Sequence, residues 1–366
     1  MSGLSGISVV LPSLNPDEKL LAVIDGLLQY GFTDIILVND GSSADNLHYF
    51  ETAAAHPEVH LLHHEINRGK GAALKTAFSW FLENRPDAVG VVTVDGDDQH
   101  HPEDTRACAL HMQETGRLTL GVRDFSQDNV PLRSRTGNRI TSGVFKIFVG
   151  MAITDTQTGL RAIPKADLAI LNTVWGDRFE YETNMLLAMK ENGIAFDEVK
   201  IRTVYIEENK SSHFHPVRDS WRIYKLILSH FFKYTASSLL CAAVDTGLYV
   251  LLAWALGGLL NDPWLTAVPV AVARIISSLT NFFINQKLVF KSTLSTSRSM
   301  LRYLMLAVCI FLGQFALTYG VYKLFCIGEA QIFLRGLIYV IVMTALFIVS
   351  YMAQRRWVFS NKRNAN

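Results

Sequence analysis

The chain has 366 residues, enough for two domains, and its formal net charge of +1 excludes a global electrostatic basis for binding nucleic acid. Hydrophobic residues make up 49% of the chain and the mean hydropathy is +0.20, which is high for a soluble enzyme. The excess is uneven, because charged and apolar residues alternate up to about residue 215 and long apolar runs dominate from about residue 230. The composition therefore predicts a water-exposed half followed by a membrane half. We expect no cleaved signal peptide, because no basic region followed by an apolar core opens the chain.

The first half alternates strand-like and helix-like patterns. The predicted strands are Ile7–Leu11, Asp34–Val38, Val59–His63 and Ala88–Val94, and the predicted helices are Asp17–Tyr30, Ser43–Ala54 and Lys70–Asn84. Such alternation is typical of a mostly parallel sheet with helices on both faces, so we predict an α/β fold. In these folds ligands bind at the carboxyl ends of the strands.

Polar clusters follow all four predicted strands. They are Pro12-Ser-Leu-Asn15, Asn39-Asp-Gly-Ser42, Asn67-Arg-Gly-Lys-Gly71 and Asp95-Gly-Asp-Asp-Gln99. The third cluster opens a helix, whose first N–H groups suit an anion. In the fourth, Asp95, Asp97 and Gln99 alternate along an extended segment, so their oxygens share one side and suit Mg²⁺ or Mn²⁺. Together the clusters predict a nucleotide-sugar site in which a metal ion holds the diphosphate.

Four stretches in the second half approach the roughly 20 residues that cross a bilayer. They are Phe232–Leu256, Leu265–Lys287, Tyr303–Phe325 and Phe333–Met352. The connection between the second and third stretches and the segment after the fourth are rich in Lys and Arg, whereas Gly257–Trp264 has neither. The positive-inside rule then predicts a multi-pass protein of the cell membrane with its first domain and its C-terminus in the cytoplasm.

An internal repeat runs through this half. The strings that recur 69 residues apart are Lys233-Tyr234 with Arg302-Tyr303, and Lys287-Leu-Val-Phe290 with Arg356-Trp-Val-Phe359. The same offset at both ends of a helical pair predicts two tandem hairpins.

Two charged residues fall inside the predicted spans. Asp245 and Arg274 lie at similar depth, roughly 18–20 Å from the basic ends at 1.5 Å per residue. We predict an ion pair, because an unpaired charge at that depth is costly. Fixing helix packing and handling a lipid phosphate or sugar are both open as the role of this pair.

The segment Pro216–Phe231 has the pattern of an amphipathic helix between the two halves. Such a helix suits an anionic membrane surface, and an ordinary surface helix of the first domain is the alternative. The predicted domains are therefore residues 1–215, the interface helix at 216–231, and a transmembrane domain at 232–359.

At this point the sequence resembles the family 2 glycosyltransferases of the GT-A fold, in the branch similar to dolichyl-phosphate mannose synthase. The resemblance covers about Ile7–Phe214 and rests on Val38-Asn-Asp-Gly-Ser42, Asn67-Arg-Gly-Lys-Gly71, Asp95-Gly-Asp-Asp-Gln-His-His-Pro-Glu103, Gly121-Val-Arg123 and Asp155-Thr-Gln-Thr-Gly-Leu-Arg161. The remainder resembles the GtrA-like membrane domain. The resemblance implies inverting, Mg²⁺- or Mn²⁺-dependent transfer of a hexose from a nucleotide-diphosphate sugar to a polyprenyl phosphate.

The resemblance also implies roles for residues of the donor site. The implied donor-binding residues are Pro12, Asn15, Asp40, which would bind the base, Lys70, near the phosphates, and Asp95. The implied metal ligands are Asp95, Asp97 and Gln99, and Asp97 thereby joins the catalytic set.

Further implied roles concern the acceptor and the sugar. Arg123 and the segment Arg133-Ser134-Arg135 would hold the acceptor phosphate, since the fork of an arginine matches phosphate oxygens. Glu182, in Phe179-Glu-Tyr-Glu182, would touch sugar hydroxyls.

The chain departs from the family pattern at two places. Asn15-Pro16 stands where the family has Asn-Glu, so an acidic contact is missing or moved to Asp17 or Glu18. The family's late arginine has no clear match, and either Lys210 or His213 is expected to cover the diphosphate instead.

The expected chemistry needs no dedicated base. A polyprenyl phosphate is already anionic at neutral pH, since its second pKa is about 6. Its oxygen can therefore attack the anomeric carbon directly, while cations position the acceptor and neutralise the leaving diphosphate.

Two other functions compete with this hypothesis. A processive glycan synthase-exporter would carry Gln-x-x-Arg-Trp in its catalytic domain, but Gln354-Arg-Arg-Trp357 is one residue short and ends a membrane span, so we interpret it as an interface anchor. A non-catalytic lipid-sugar translocase or scaffold is the third hypothesis, and the intact acidic cluster argues against it. A role of the membrane half in moving the lipid-linked sugar, a homo-oligomer and a flippase partner all stay open.

Overall fold

The structure is a computed structural model that describes residues 3–127, 130, 132–202, 225, 228–257, 259–261, 264–292, 294–327 and 331–359. It divides into two compact units, Met1–Ile227 and Leu228–Asn366, which are described separately below. Most of the predicted interface helix Pro216–Phe231 lies outside the described residues. The predicted domain boundaries therefore stay predictions.

The first unit is built on a seven-stranded sheet of order β3-β2-β1-β4-β6-β5-β7. Its strands are β1 Ile7–Ser13, β2 Ile35–Asp40, β3 Val59–His64, β4 Gly90–Thr93, β5 Leu118–Arg123, β6 Arg161–Pro164 and β7 Phe196–Ile201. Strand β6 runs antiparallel to β4 and β5, and the other pairs are parallel. The predicted α/β fold with a mostly parallel sheet is confirmed.

Seven helices cover the two faces of this sheet in the described part of the unit. They are α1 Lys19–Gln29, α2 Leu47–Ala54, α3 Lys70–Asn84, α4 Pro102–Thr115, α5 Leu132–Val144, α6 Lys165–Leu171 and α7 Glu180–Asn192. One apolar core lies between the sheet and α3, α6 and α7, and the other lies between the sheet and α1, α2 and α4. Both faces of the central strands are buried, which explains their continuous apolar runs.

Helix α3 begins and ends where the sequence predicts. Gly69 precedes it with a φ of +103°, a conformation that favours glycine, and its would-be Cβ lies 2.4 Å from the carbonyl oxygen of Asp177. The predicted helix Asp17–Tyr30 instead begins at Lys19, and the strand predicted to begin at Ala88 begins at Gly90. These ends shift because side-chain patterns continue past the last ladder or helical hydrogen bond.

The second unit consists of four long helices. They are α8 Ser229–Leu256, α9 Trp264–Ile284, α10 Thr296–Leu324 and α11 Ile332–Ala353. All four are long and apolar enough to cross a membrane, as predicted. The second and fourth each end in a π-helical turn, Asn285–Val289 and Gln354–Val358.

The 69-residue spacing recurs in the contacts between the two hairpins. Asn285 Nδ2 donates to Gln354 Oε1 at 3.1 Å, and these two residues are 69 apart. The rings of Phe290 and Phe359 occupy matching positions in the repeat and stack at 5.4 Å. A residue that touches its own repeat mate lies on a local two-fold axis, as in an isologous interface. Because both hairpins begin at the same end, this axis runs along the helices, as in parallel membrane repeats.

Reciprocal contacts support the same axis. Tyr234 donates its hydroxyl to Ser350 Oγ at 3.2 Å, and the mates of these two residues, Tyr303 and Asn281, are joined by a hydrogen bond of 3.3 Å. The network ties the basic ends of the four helices together.

The predicted ion pair inside the spans is confirmed. Arg274 Nη2 lies 3.1 Å from Asp245 Oδ2, and Ser277 donates its hydroxyl to Asp245 Oδ1 at 2.8 Å. Asp245 therefore has a cation and a hydroxyl as partners, which offsets the cost of a carboxylate among apolar helices.

A partly buried ionic cluster stabilises the amino ends of the strands in the first unit. Arg85 donates to the Asp34 carboxylate from its Nε at 3.0 Å and from its Nη2 at 2.8 Å. His60 Nε2 lies 3.1 Å from Asp34 Oδ1, and the Ser8 hydroxyl also donates to Asp34. Burial alone would raise the pKa of Asp34, but the hydrogen bonds from Arg85 and Ser8 outweigh it and lower the pKa below 3.8. The carboxylate therefore contributes stability above that pH.

We predict that Asp34→Asn lowers the free energy of unfolding by about 1.5 to 3 kcal/mol at pH 7, since hydrogen bonds to a charged group are lost. The difference from wild type should shrink as the pH falls from 3.8 toward the lower pKa of the folded state, because Asp34 of the unfolded wild-type chain then takes up a proton before Asp34 of the folded chain does. Denaturant unfolding of the detergent-solubilised chain at several pH values measures both. A difference in unfolding free energy between wild type and Asp34→Asn that is constant between pH 7 and pH 3 would contradict the stabilising role of the Asp34 carboxylate.

We further predict that Asp245→Arg or Arg274→Asp alone lowers thermal stability in detergent and that the double swap recovers at least half of the loss. Each single variant places like charges side by side, whereas the swap restores attraction but loses the Ser277 hydrogen bond. Size-exclusion chromatography after heating gives the fraction that stays monodisperse. A double variant no better than the worse single one would show that the pair does not stabilise the unit.

Candidate active site

The carboxyl ends of the first strands bring the predicted polar clusters to one edge of the sheet. Ser13 of β1 lies beside Asn39 of β2 in the register, and Asn39 lies beside His63 of β3. Strand β4 runs parallel beside β1 and ends two residues before Asp95. Four loops from four adjacent strands therefore meet where an open α/β sheet binds its ligands.

The centre of the site is an ion triad. Lys70, the first residue of α3, places its Nζ 2.7 Å from Asp95 Oδ1 and 3.0 Å from Glu182 Oε1. The ammonium is 19% exposed, and the side chains of Asp95 and Glu182 are 29% and 16% exposed. Glu182 comes from the first turn of α7, far along the chain, so the fold brings three predicted site residues into direct contact.

Burial and charge act in opposite directions on this triad. Burial alone would lower the pKa of Lys70, but the carboxylates of Asp95 and Glu182 outweigh it and raise that pKa above its ordinary value. Burial alone would raise the pKa of Asp95, but Lys70 and then His100 hold it well below its usual range. Lys70 is therefore an ammonium and Asp95 a carboxylate near neutral pH.

Asp97 lies in a more strained electrostatic setting. Its pKa is raised, first by burial and then by the charge of Asp95. Its Oδ1 accepts a hydrogen bond of 3.2 Å from the backbone N–H of Gln99, which folds the acidic turn back on itself. Two carboxylates crowded in this way are stabilised by an added cation.

These residues fit a hard divalent cation. They offer two carboxylates and one amide, and Mg²⁺ typically uses one or two carboxylates together with substrate phosphates. Among the described residues, no group of three or more His, Cys, Asp and Glu side chains forms a ready metal cage. Asp95, Asp97 and Gln99 are the residues that would hold such an ion.

The loop before β6 closes over Asp95. Thr93 donates its hydroxyl to the carbonyl oxygen of Gly159 at 2.6 Å, which fixes the loop against the end of β4. A Cβ on Gly159 would lie 2.3 Å from Asp95 Oδ2, so this position has no room for a side chain. The backbone thus holds the carboxylate from one side while Lys70 holds it from the other.

Asp40 does not face an open cleft. It is 3% exposed, and its carboxylate accepts hydrogen bonds from His64 Nδ1 at 2.7 Å, from the N–H of Arg68 at 2.9 Å and from the N–H of Gly69 at 2.7 Å. The role that the geometry gives Asp40 is to anchor the loop that starts α3. Contact with a nucleotide base, the role implied by the resemblance, stays a prediction.

The loop after β1 is locked to the loop after β2. The Asn15 side chain accepts from the N–H of Ser43 at 2.8 Å, and its own N–H donates to Ser42 Oγ at 2.8 Å. Asn15 has a φ of 49°, in the left-handed region that asparagine tolerates well. Pro12 is half-buried within β1, beside Val38 of β2. Both residues therefore shape the rim of the site.

Arg123 is bound to a buried carboxylate. Its Nε and Nη2 lie 2.8 Å and 3.2 Å from the two oxygens of Asp155, whose side chain is fully buried. This fork fixes the guanidinium at the end of β5. A phosphate bound at Arg123 would therefore contact a guanidinium that also binds Asp155. The resemblance alone does not imply this pairing.

The segment Arg133-Ser134-Arg135 lies in the first turn of α5. The side chain of Arg133 lies outside the described part of the structure, and Ser134 is half-buried. Arg135 Nη2 donates to the carbonyl oxygen of Gln127 at 2.7 Å, while its buried Nε has no hydrogen-bond partner within the part of the chain that the structure describes. Lys210 and His213 lie outside the described residues, so their predicted role at the diphosphate is unchanged.

Comparison with known proteins now identifies both units. Residues 8–168 match the family described as Glycosyl transferase family 2, and residues 233–359 match the GtrA/DPMS transmembrane domain. The chain therefore carries a family 2 glycosyltransferase domain followed by a GtrA/DPMS transmembrane domain. The first match contains the triad residues Lys70 and Asp95, and the second contains α9, α10 and α11 and all of α8 except its first turn.

The similar proteins include lipid-phosphate sugar transferases. An uncharacterized protein of Methanocaldococcus jannaschii is 29% identical over 62% of this glycosyltransferase and 93% of its own length. UDP-N-acetylglucosamine–dolichyl-phosphate N-acetylglucosaminyltransferase of Methanococcus voltae is 27% identical over 55% of this chain and 86% of its own. Undecaprenyl-phosphate 4-deoxy-4-formamido-L-arabinose transferase of Yersinia pestis is 32% identical over 43% of this chain and 48% of its own.

Sequence reasoning missed three groups that shape the site of this glycosyltransferase. His100 lies 3.6 Å from Asp95 Oδ2, and its buried Nδ1 has no hydrogen-bond partner among the described residues. Gly159 confines Asp95, and Asp155 binds Arg123. All three lie in strings that carried the family resemblance, but spacing alone gives no signal for the contacts of Gly159 and Asp155, whose partners are 32 or more residues away.

We predict that Gly159→Ala lowers sugar transfer on the order of 100-fold, because the new methyl group displaces the Asp95 carboxylate and small misplacements at a reacting site cost about that much. Gly143→Ala is the matched control, since a Cβ there meets nothing within 4 Å. Initial rates of transfer by the two purified variants measure the effect. Equal activity of the two would show that the position of Asp95 does not limit the reaction.

Proposed function

We propose that the chain transfers a hexose from a nucleotide-diphosphate sugar to a polyprenyl phosphate of the undecaprenyl or dolichyl type, with inversion and with help from Mg²⁺ or Mn²⁺. The observation that carries the proposal is the triad of Lys70, Asp95 and Glu182 beside Asp97, in a chain that also has four membrane-spanning helices. A charged donor site and a lipid anchor in one chain suit a reaction that joins a water-soluble donor to a lipid.

The donor side is supported by the distribution of charge. Asp95, Asp97 and Gln99 would hold the metal ion, which when bound neutralises the leaving diphosphate. Lys70 lies at the N-terminus of α3, where its ammonium and the first N–H groups of the helix favour phosphate. Glu182 is within reach of the same ammonium and would accept hydrogen bonds from sugar hydroxyls.

The acceptor side rests on the cations near α5. Asn138 of α5 donates to the carbonyl oxygen of Thr154 at 2.6 Å, next to the Asp155 that binds Arg123. This contact links the segment Arg133–Arg135 to Arg123 through one loop. Arginines held in this way suit a lipid phosphate, as in the names of the relatives that act on dolichyl and undecaprenyl phosphate.

The reaction is a single displacement. A phosphate oxygen of the acceptor attacks the anomeric carbon, the bond from that carbon to the diphosphate oxygen breaks, and the nucleoside diphosphate leaves with the electron pair. The acceptor phosphate is already deprotonated, so the chain needs only to orient it and exclude water. The product is a polyprenyl-phosphate sugar with an inverted anomeric centre.

The reaction would take place at the cytoplasmic face of the membrane. The basic residues at the ends of the second and fourth helices support that orientation through the positive-inside rule. A homo-oligomer and a flippase partner stay predictions, as does a role of the membrane unit in moving the lipid-linked sugar.

The processive synthase is the less favoured function. Gln354 of the string Gln354-Arg-Arg-Trp357 is 3% exposed and holds Asn285, Tyr234 and Ser350 through hydrogen bonds in the second unit. This packing role accounts for the string without a polymer-synthesising site.

The proposal predicts that the purified chain transfers radiolabelled sugar from a panel of nucleotide sugars to polyprenyl phosphate, giving an organic-extractable product. Transfer should stop with EDTA and fall on the order of 100-fold or more in Asp97→Ala. Asp87→Ala is the matched control, because Asp87 is exposed before the amino end of β4. Transfer that survives Asp97→Ala would contradict the metal assignment, and a ladder of long polysaccharide would favour the processive synthase. Absence of turnover with every donor would favour a translocase or scaffold.

A further inference from the structure

The Lys70 ammonium occupies the position next to the Asp95 carboxylate where a metal ion would bind. Its Nζ lies 2.7 Å from Asp95 Oδ1, which is close contact for an ammonium and a carboxylate. A divalent ion on the same oxygen would lie within a few ångströms of the ammonium, and two like charges at that distance in a partly buried site repel strongly. The ammonium and the metal ion therefore compete for one oxygen.

We propose that Lys70 is an internal counter-cation which neutralises Asp95 and Glu182 in the metal-free protein and must leave Asp95 before a divalent ion binds there. This inference rests on the proposed function, because it takes Asp95 as a metal ligand. Lys70 is then more than a phosphate-binding residue, since it sets the affinity of the empty site for metal.

A buried cation beneath the site, Arg161, is held differently from Lys70. Arg161 is 1% exposed, and its Nε and Nη1 donate to the carbonyl oxygens of Thr158 at 3.0 Å and Glu182 at 2.8 Å. Two backbone acceptors fix that guanidinium in the protein interior. Lys70 instead reaches its two carboxylates through a flexible four-carbon stem from the first turn of α3, so it can change partners without moving the backbone.

The release of Lys70 also releases Glu182. Among the described residues, Lys70 is the cation that pairs with the Glu182 carboxylate at 3.0 Å, while Arg161 contacts only the backbone oxygen of Glu182. Movement of one ammonium therefore opens Asp95 for metal and Glu182 for sugar hydroxyls together. The ammonium that leaves remains at the N-terminus of α3, where a donor diphosphate would receive it. Donor and metal are thus expected to bind as partners, with weak binding of metal alone.

The test measures binding of Mn²⁺ alone to the purified full-length protein in detergent, by electron paramagnetic resonance of the free ion. Lys70→Met removes the charge and keeps much of the side-chain volume, so we expect it to bind Mn²⁺ at least roughly tenfold more tightly than wild type. Lys75→Met is the matched control, because Lys75 lies on the same helix but pairs with Asp177 at 2.6 Å. We expect the control to bind Mn²⁺ as wild type does.

Two further variants guard against a folding artefact. Lys70→Arg keeps a cation and should bind Mn²⁺ no more tightly than wild type. In an Asp95→Asn background, Lys70→Met should no longer change the affinity, because the contested carboxylate is gone. A gain in Mn²⁺ affinity for Lys70→Met that persists with Asp95→Asn would overturn the proposal. A second neutral variant, Lys70→Gln, checks the first, and the proposal would also be overturned if both variants bind Mn²⁺ as weakly as wild type or more weakly.

The outcome separates this inference from the proposed function. Mn²⁺ binding requires neither a sugar donor nor a lipid acceptor. Wild-type transfer that is sensitive to EDTA, together with unchanged Mn²⁺ affinity in Lys70→Met, would overturn the inference and leave the function intact. Absence of Mn²⁺ binding in every variant, with transfer unaffected by EDTA, would overturn the inference and the metal dependence together.

Discussion

The constraint on which the site depends is the requirement to balance carboxylates that the fold crowds together. Strand β4 delivers Asp95 and Asp97 to the sheet edge, and α7 brings Glu182 to the same place. One flexible ammonium, from Lys70, neutralises two of these three groups, and the rigid guanidinium of Arg161 lies beneath them. The raised pKa of Asp97 shows that the balance is incomplete, which is the state of a site that gains stability by accepting a cation.

The surrounding structure serves to keep this cluster in place. The buried carboxylate of Asp40 fixes the loop that carries Lys70 into α3, and the Gly159 backbone confines Asp95. The buried Asp155 carboxylate fixes the guanidinium of Arg123. Several acidic residues of the family motifs thus act on the chain itself, while a smaller set faces the cleft. Anchoring of this kind is what positions catalytic groups to within fractions of an ångström.

Much of the fold could be predicted from the sequence, because its signals are local. Helix α3 matches its prediction at both ends, since Gly69 and the apolar spacing mark it, and the 69-residue repeat reappears as contacts between Asn285 and Gln354. The antiparallel placement of β6 between β4 and β5 could not be predicted, because it depends on pairing partners that are far away in sequence. The resemblance implies a base-binding role for Asp40, and it gives no sign that His64, Arg68 and Gly69 hold the Asp40 carboxylate. Which side of a strand end a side chain occupies depends on packing partners that are far away in sequence.

The pairing of Lys70 with Glu182 illustrates the same limit for the site. Each residue lies in a motif of its own, and neither motif signals the other, because the contact exists only once α3 and α7 pack on the same face of the sheet. The central claim, that this ammonium gives way to a metal ion, is tested most directly by a structure with Mn²⁺ and a nucleoside diphosphate bound. The account predicts the metal at Asp95 and Asp97, with Lys70 Nζ turned to the diphosphate and beyond hydrogen-bond distance of Asp95. A bound metal with Lys70 still in contact with Asp95 Oδ1 would contradict it.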